Sequence, residues 1–247
     1  MPSTVQEHYD THLAEHYDWM FGVPLESKVA EQKILLHEIL GTETSGVAVD
    51  LGCGSGFQTL ALADLGYEVL AMDISARLLR DLRARVGSRR IGVKHADMLT
   101  LDSLVAKESV NVAVCMGDTL THLSSRNEVS RLFHSVSRAL KPGGRFVVTY
   151  RDLADGELKG LDRFIAVRSD ERRVMTCFLE FEMAETVVVH DLIHSRDLEG
   201  QWSLHKSSYI KLRLPVDWVV AELGAAGLSI THQRLGRMVL LAASKPA

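Results

Sequence analysis

Five short apolar runs, separated by segments of helical periodicity, constrain this chain more than any other feature. Val47–Leu51, Glu68–Met72, Ile91–His95, Val110–Met116 and Arg145–Tyr150 read as strands. Between them lie Phe57–Leu65, a segment carrying Leu78, Leu79, Leu82 and Val86, and another carrying Val129, Leu132, Phe133, Val136 and Leu140. Their apolar residues recur at the spacing of one helix face. Ser75 stands where an N-cap belongs, and Ser125-x-x-Glu128 is a capping box. Such alternation, with nearly continuous apolar strands, predicts an α/β fold whose parallel sheet is buried under helices on both faces.

The rhythm changes outside that stretch. From Arg163 to Leu214 apolar residues tend to alternate, as in Phe164, Ala166 and Val187, Val189. This predicts an antiparallel, β-rich insertion after the fifth strand. Pro215 opens a helix with Trp218, Val219 and Leu223, and Leu228–Ile230 with Met238–Ala243 form a terminal strand pair. At the other end, Tyr9, Leu13, Tyr17 and Met20 give one helical stripe. A second helix follows Pro24, with Val29, Ile34, Leu35, Ile39 and Leu40 inward. The expected organisation is a helical cap over 1–45, a core over 46–150, the insertion over 151–214, and a returning helix and strand pair over 215–247.

Length and charge narrow the function classes. At 247 residues the chain suits one elaborated domain. A formal net charge of -4 gives no global basic footprint, so no nucleic-acid partner is expected. No apolar run is long enough to cross a bilayer, so no membrane partner is expected, and the polar N-terminus lacks a secretory core. Three scattered cysteines, Cys53, Cys115 and Cys177, suit reduced thiols in a cytoplasmic protein.

The first strand runs into Asp50-Leu51-Gly52-Cys53-Gly54-Ser55-Gly56, and the second ends in Asp73. Glycines allow a sharp turn against which a ligand lies on bare main chain. A carboxylate about twenty residues beyond the first glycine suits ribose hydroxyls. The pattern is G-x-G-x-G, with Phe57 where a dinucleotide fingerprint has its third glycine. A tight βα connection without ligand is the bland reading, and the acidic strand ends argue against it.

Val49–Gly56 resembles the first motif of class I S-adenosylmethionine (SAM)-dependent methyltransferases, and Leu140-Lys141-Pro142-Gly143-Gly144 resembles the segment before that family's fifth strand. The resemblance spans Val47 to Tyr150. It implies a Rossmann-like core, SAM as cofactor and S-adenosylhomocysteine as product. Ala96–Asp102, Cys115–Leu123 and Tyr150-Arg151-Asp152 are similar to glycine and sarcosine N-methyltransferases.

The resemblance implies a cofactor set of Asp50, Gly52, Gly54, Gly56, Asp73, Ile74, Asp97, Met98, Met116 and Gly117. Asp97 would bond the adenine amine and Met98 would pack on its ring. Lys28 aligns with a basic residue that binds the methionine carboxylate, or is simply solvated. Three residues are implied on the catalytic side. Tyr17 would place an aromatic near the sulfonium, or is a core ring. Asp118, where the family commonly has asparagine, suits an amine or hydroxyl acceptor, or is a loop acid. Arg151 matches an arginine that grips substrate carboxylate, or pairs with Asp152 or Asp118. Met20 and Val167 stand where glycine-methylating relatives have tyrosines, which argues against glycine itself.

His8, His12 and His16 recur every four residues but lack a completing ligand, so no metal is expected. His190, His194 and His205 are weaker candidates for a base, and the arginines from Arg77 to Arg90 read as a solvated helix face. The leading function is methyl transfer to a small-molecule amine. Small-molecule O-methylation and SAM binding without turnover are the alternatives, and a homo-oligomer is left open.

Overall fold

A computed structural model describes every residue except Met1, Glu43, Asp155, Glu182 and Arg237. The first five strands are β1 (Val47–Leu51), β2 (Glu68–Asp73), β3 (Ile91–His95), β4 (Val110–Cys115) and β5 (Leu140–Tyr150). There follow β6 (Phe164–Ser169), β7 (Arg173–Glu180), β8 (Thr186–Arg196) and β9 (Trp202–Leu212), then β10 (Ser229–Arg234) and β11 (Val239–Ser244). One sheet has the order β10-β11-β5-β4-β1-β2-β3, with β1 to β5 parallel and β11 antiparallel to β5. The other is the meander β6-β7-β8-β9, antiparallel throughout.

The helices are α1 (Val5–His8), α2 (Tyr17–Phe21), α3 (Leu25–Leu40), α4 (Phe57–Asp64), α5 (Ala76–Arg85), α6 (Leu101–Leu104), α7 (Arg126–Ala139) and α8 (Val216–Ala225). Helices α3, α4 and α5 bury Leu36, Leu60 and Leu82 with Ala48, Val112 and Val147 of the sheet. On the opposite face, α7 and α8 bury Phe133, Val136 and Leu223 with Val49, Ala113 and Phe146. Each buried Leu, Val or Phe among these contributes about 1.5–3 kcal/mol relative to exposure. This is the expected Rossmann-like sheet with helices on both faces, followed by a β-rich insertion after β5. The strand order reverses beside β1, between β2 and β4. Open α/β sheets bind ligands at the carboxyl ends of the strands flanking that point.

Three details depart from the sequence expectation. Ile34 is 71% exposed; the buried face of α3 is Val29, Gln32, Leu36, Ile39 and Leu40, to which Ile34 is out of phase. The capping box at α7 is split. Ser125 Oγ accepts from the Glu128 N–H, but the Glu128 carboxylate accepts from Ser124 instead of Ser125. The first twenty residues are not one helix. A π turn, Tyr9–Leu13, and a 3-10 turn, Ala14–His16, separate α1 from α2. These turns change the angular step between residues. Leu13 packs with Met175 and Ile193 of the insertion, whereas Asp10 and Asp18 bond to the core.

Candidate active site

The glycine-rich turn leaves β1 with Gly52 at φ +74° and Gly54 at φ +53°, a left-handed backbone that side chains rarely adopt. The space over these glycines is already lined. A Cβ on Gly52 would stand 2.2 Å from Thr119 Cγ2, and one on Gly54 would stand 3.2 Å from the Tyr17 hydroxyl. The loops after β1 and β4 therefore approach closely, with Tyr17 across from them.

Asp73 closes the turn from β2. Its Oδ2 accepts the Gly54 N–H at 2.8 Å and its Oδ1 accepts the Ser75 N–H at 2.8 Å. Burial raises its carboxyl above the ordinary range. A carboxylate offers about four lone-pair directions, so two bonds leave capacity for hydroxyl donors. Asp50 lies below the turn and is 1% exposed. It accepts the Thr59 hydroxyl at 2.6 Å, and burial pushes its carboxyl up to about 7.

A cleft of about 730 Å³ runs from this turn. It is lined by Gly52, Gly54, Asp73, Ile74, Asp97 and Met98, with Gly117 from the loop after β4. Tyr9, Tyr17, His122, Leu123, Ile210 and residues 2–6 line it as well. The N-terminal segment is tied down on both sides. His8 is buried, with Nε2 at 3.0 Å from Asp191 Oδ2 and Nδ1 at 2.9 Å from Ser207 Oγ on the insertion. On the core side, Asp10 accepts from Ser75 Oγ at 2.5 Å. Asp18 accepts from Ser55 Oγ at 2.9 Å and pairs with Arg85.

Of the residues singled out from sequence, Gly52, Gly54, Asp73, Ile74, Asp97, Met98, Gly117 and Tyr17 line this cleft together. Six others, Asp50, Gly56, Met116, Lys28, Asp118 and Arg151, do not line it. Asp50 supports the turn from beneath. Gly56, at φ +101°, faces Leu82. Met116 is buried in the core. Lys28 pairs with Glu31 at 2.9 Å on α3. Asp118 is 5% exposed, and its Oδ2 accepts from Lys211 Nζ at 2.6 Å. Burial works against its charge, but the Lys211 cation and the Arg151 N–H outweigh that and hold its carboxyl below the ordinary range. Arg151 reaches Asp118 only through its backbone N–H, at 2.9 Å, and its side chain is exposed.

His122 and Lys211 were missed by sequence reasoning. His122 lies inside the Cys115–Leu123 segment but carried no signal of its own; Lys211 is one lysine among many. The His122 ring packs edge-on to Tyr9 and Tyr209, at 5.6 and 5.5 Å. Its Nε2 is buried without a hydrogen-bond partner. Burial first, then the Lys211 cation, push this imidazole down to about 3, so it is neutral at physiological pH. Among the described residues no cluster of three or more His, Cys, Asp or Glu could hold a metal ion. His190 pairs with Glu180 at 2.8 Å on β7 and β8, away from the cleft. Arg77, Arg85 and Arg89 are paired with Glu15, Asp18 and Asp64.

Residues 48–144 match a family described as a methyltransferase domain. Over 138 residues the chain is 25% identical to glycine N-methyltransferase of Mus musculus, covering 51% of this chain and 47% of that protein. The chain thus spans about half the length of that curated relative. The CcbJ methyltransferase from Streptomyces caelestis has the same fold, with a TM-score of 0.79 and 21% identity over 97% of this chain and 98% of that one. So does SAM-bound CalS10, an amino pentose methyltransferase from Micromonospora echinaspora, with a TM-score of 0.74 and 17% identity over 95% and 97% of the two chains. Residues 48–144 thus match a methyltransferase domain, and the sheet order and glycine turn are those expected of the class I SAM-dependent methyltransferase fold.

Proposed function

We propose that this protein methylates an amine nitrogen of a small molecule, with SAM as methyl donor. The observation that carries the reading is a single cleft that joins two unlike features. A glycine cradle flanked by Asp73 and Asp97 lines it, and so does His122, whose Nε2 is buried without a partner and whose ring packs between Tyr9 and Tyr209. When bound, SAM supplies a methyl group that is electrophilic because it sits on a sulfonium.

The residues present fit that cofactor. A Cβ would fill the space over Gly52 and Gly54, Asp73 retains acceptor capacity for ribose hydroxyls, and Asp97 and Met98 offer an acceptor and an apolar face for adenine. Tyr17, whose hydroxyl lies against Gly54, gives an aromatic wall suited to a cation. An amine must present its lone pair, so it must react as the neutral base. A neutral His122 can accept an N–H of that amine and orient it, and orientation alone supplies on the order of 7–11 kcal/mol in favourable cases. The tied-down segment 2–21 would keep water from the reacting atoms. Relatives described as glycine and amino pentose methyltransferases support a nitrogen acceptor.

The test is a panel of small amines and their hydroxyl analogues, assayed for S-adenosylhomocysteine release. Amines should turn over and the hydroxyl analogues should not; the reverse preference would replace N-methylation by O-methylation. Calorimetry should show SAM binding that Asp73→Ala weakens by about 1–3 kcal/mol. Unchanged affinity in the folded variant would overturn the cofactor placement.

A further inference from the structure

The loop after β4 contains an unusual residue. Asp118 has φ +77°, a left-handed backbone without a glycine, which costs an L residue about 1–2 kcal/mol. Such backbone is retained where surrounding contacts over-determine it. Here the contacts are the Asp118 N–H to Thr149 O at 3.2 Å and three bonds to the carboxylate, from Lys211, from the Arg151 N–H and from the Thr121 hydroxyl. Lys211 comes from β9, 93 positions further along, and is 7% exposed. Its ammonium also lies 5.6 Å from the centre of the Tyr209 ring, which packs against His122. A buried lysine requires a partner to remain charged; Asp118 supplies it. The result is one fixed cation and one fixed anion held beside a cleft-lining imidazole.

We infer that the Lys211–Asp118 pair is a positioning device for this site, docking the last insertion strand on the loop after β4 and fixing His122 of that loop at the cleft as a hydrogen-bond acceptor. The inference rests on the amine-methylating reading for its purpose. An imidazolium there would donate where the amine needs an acceptor, and would repel a sulfonium. The His122 ring packs against Tyr209 from β9 and Tyr9 from the N-terminal segment, and the titratable groups whose charge acts on it are Lys211 from β9, Asp118 from its own loop and His8 from the N-terminal segment. Burial is the largest influence against protonation of His122; Lys211 and, more weakly, His8 add to it, and Asp118 favours protonation less strongly than Lys211 opposes it. Removing the lysine therefore moves the imidazole toward protonation, and removing the aspartate does not. A purely structural tie lacks that opposite sign.

The experiment is an NMR titration of isotope-labelled histidines, with the His122 signal assigned by His122→Asn. In the wild type this signal should stay neutral across the folded pH range. In Lys211→Met its midpoint should rise by about one unit or more, and in Asp118→Asn it should not rise. Where Lys211→Met fails to fold, Lys211→Met/Asp118→Asn replaces it. That pair leaves no buried unpaired charge and should still raise the midpoint, because the lysine's influence is the larger. Turnover of an amine substrate by folded variants lacking Lys211 should gain an extra acid limb in kcat/KM, with the S-adenosylhomocysteine Kd nearly unchanged. An unmoved His122 midpoint in the folded lysine variants overturns the inference, whatever the enzyme methylates. Absence of amine turnover with a shifted midpoint would sink the amine reading and leave the coupling in place.

Discussion

Gly52→Ala tests how the cradle is built. The substitution meets two separate costs. The backbone at φ +74° disfavours any Cβ, by about 1–2 kcal/mol. The new methyl would also stand 2.2 Å from Thr119 Cγ2, and forcing a methyl into a packed contact costs about 1–3 kcal/mol more. The expected loss is therefore about 2–5 kcal/mol, a fall in Tm on the order of 10 °C for a chain of this size. The second cost can be relieved without touching the first. Thr119→Ser deletes Cγ2 and keeps the Oγ1 bond to Met116 O at 2.8 Å. The double variant should thus recover about 1–2 kcal/mol relative to additivity. Thermal and denaturant unfolding of the wild type, both singles and the double variant complete the cycle, with SAM affinity measured alongside. A Gly52→Ala protein with the wild-type Tm would refute the strain argument. Strict additivity would refute the close approach of the loops after β1 and β4.

Asp50→Asn should flatten part of the pH dependence of stability. Asp50 binds its proton more tightly folded, at about 7, than its ordinary value of 3.8. Its contribution is therefore fully present below the unfolded value and lost as pH rises through 7. The variant should gain Tm over the wild type above pH 7 and not below pH 4; a constant difference across that range would contradict the assignment. Arg151→Ala keeps the N–H that bonds Asp118 and deletes an exposed side chain. It should leave the acceptor KM within about twofold, and a much larger rise would return Arg151 to a carboxylate-gripping role.

Much of the cofactor end was legible in the sequence because it is local. A strand, a glycine turn and an acid at the next strand end lie within a few dozen residues, and backbone rules govern them. The same rules did not show that Asp50 and Met116 stand off the cleft lining. Asp50 lies on β1, whose alternation carries its side chain to Thr59, and Met116 follows β4 and is buried in the core; a motif reading sees only adjacency. Ile34 failed similarly, from a helical phase set by which residues meet α4. The N-terminal segment read as a regular helix because its apolar spacing fits one; its π and 3-10 turns follow from bonds to two different sheets, which spacing cannot express.

The long-range contacts around the cleft were illegible for a deeper reason. It is assembled from pairs far apart in the chain: His8 with Asp191, Asp10 with Ser75, Asp118 with Lys211. No periodicity announces such pairs, and each member alone reads as an ordinary polar residue. The family match over residues 48–144 contains Gly52, Asp73, Asp97 and His122 but neither His8 nor Lys211. The bonds from Gly54 to Asp73 and from Thr59 to Asp50 lie inside that match, but the N-terminal segment reaches into the same turn, with Asp18 accepting from Ser55 and Asp10 from Ser75, so variation in that segment acts on the turn as well.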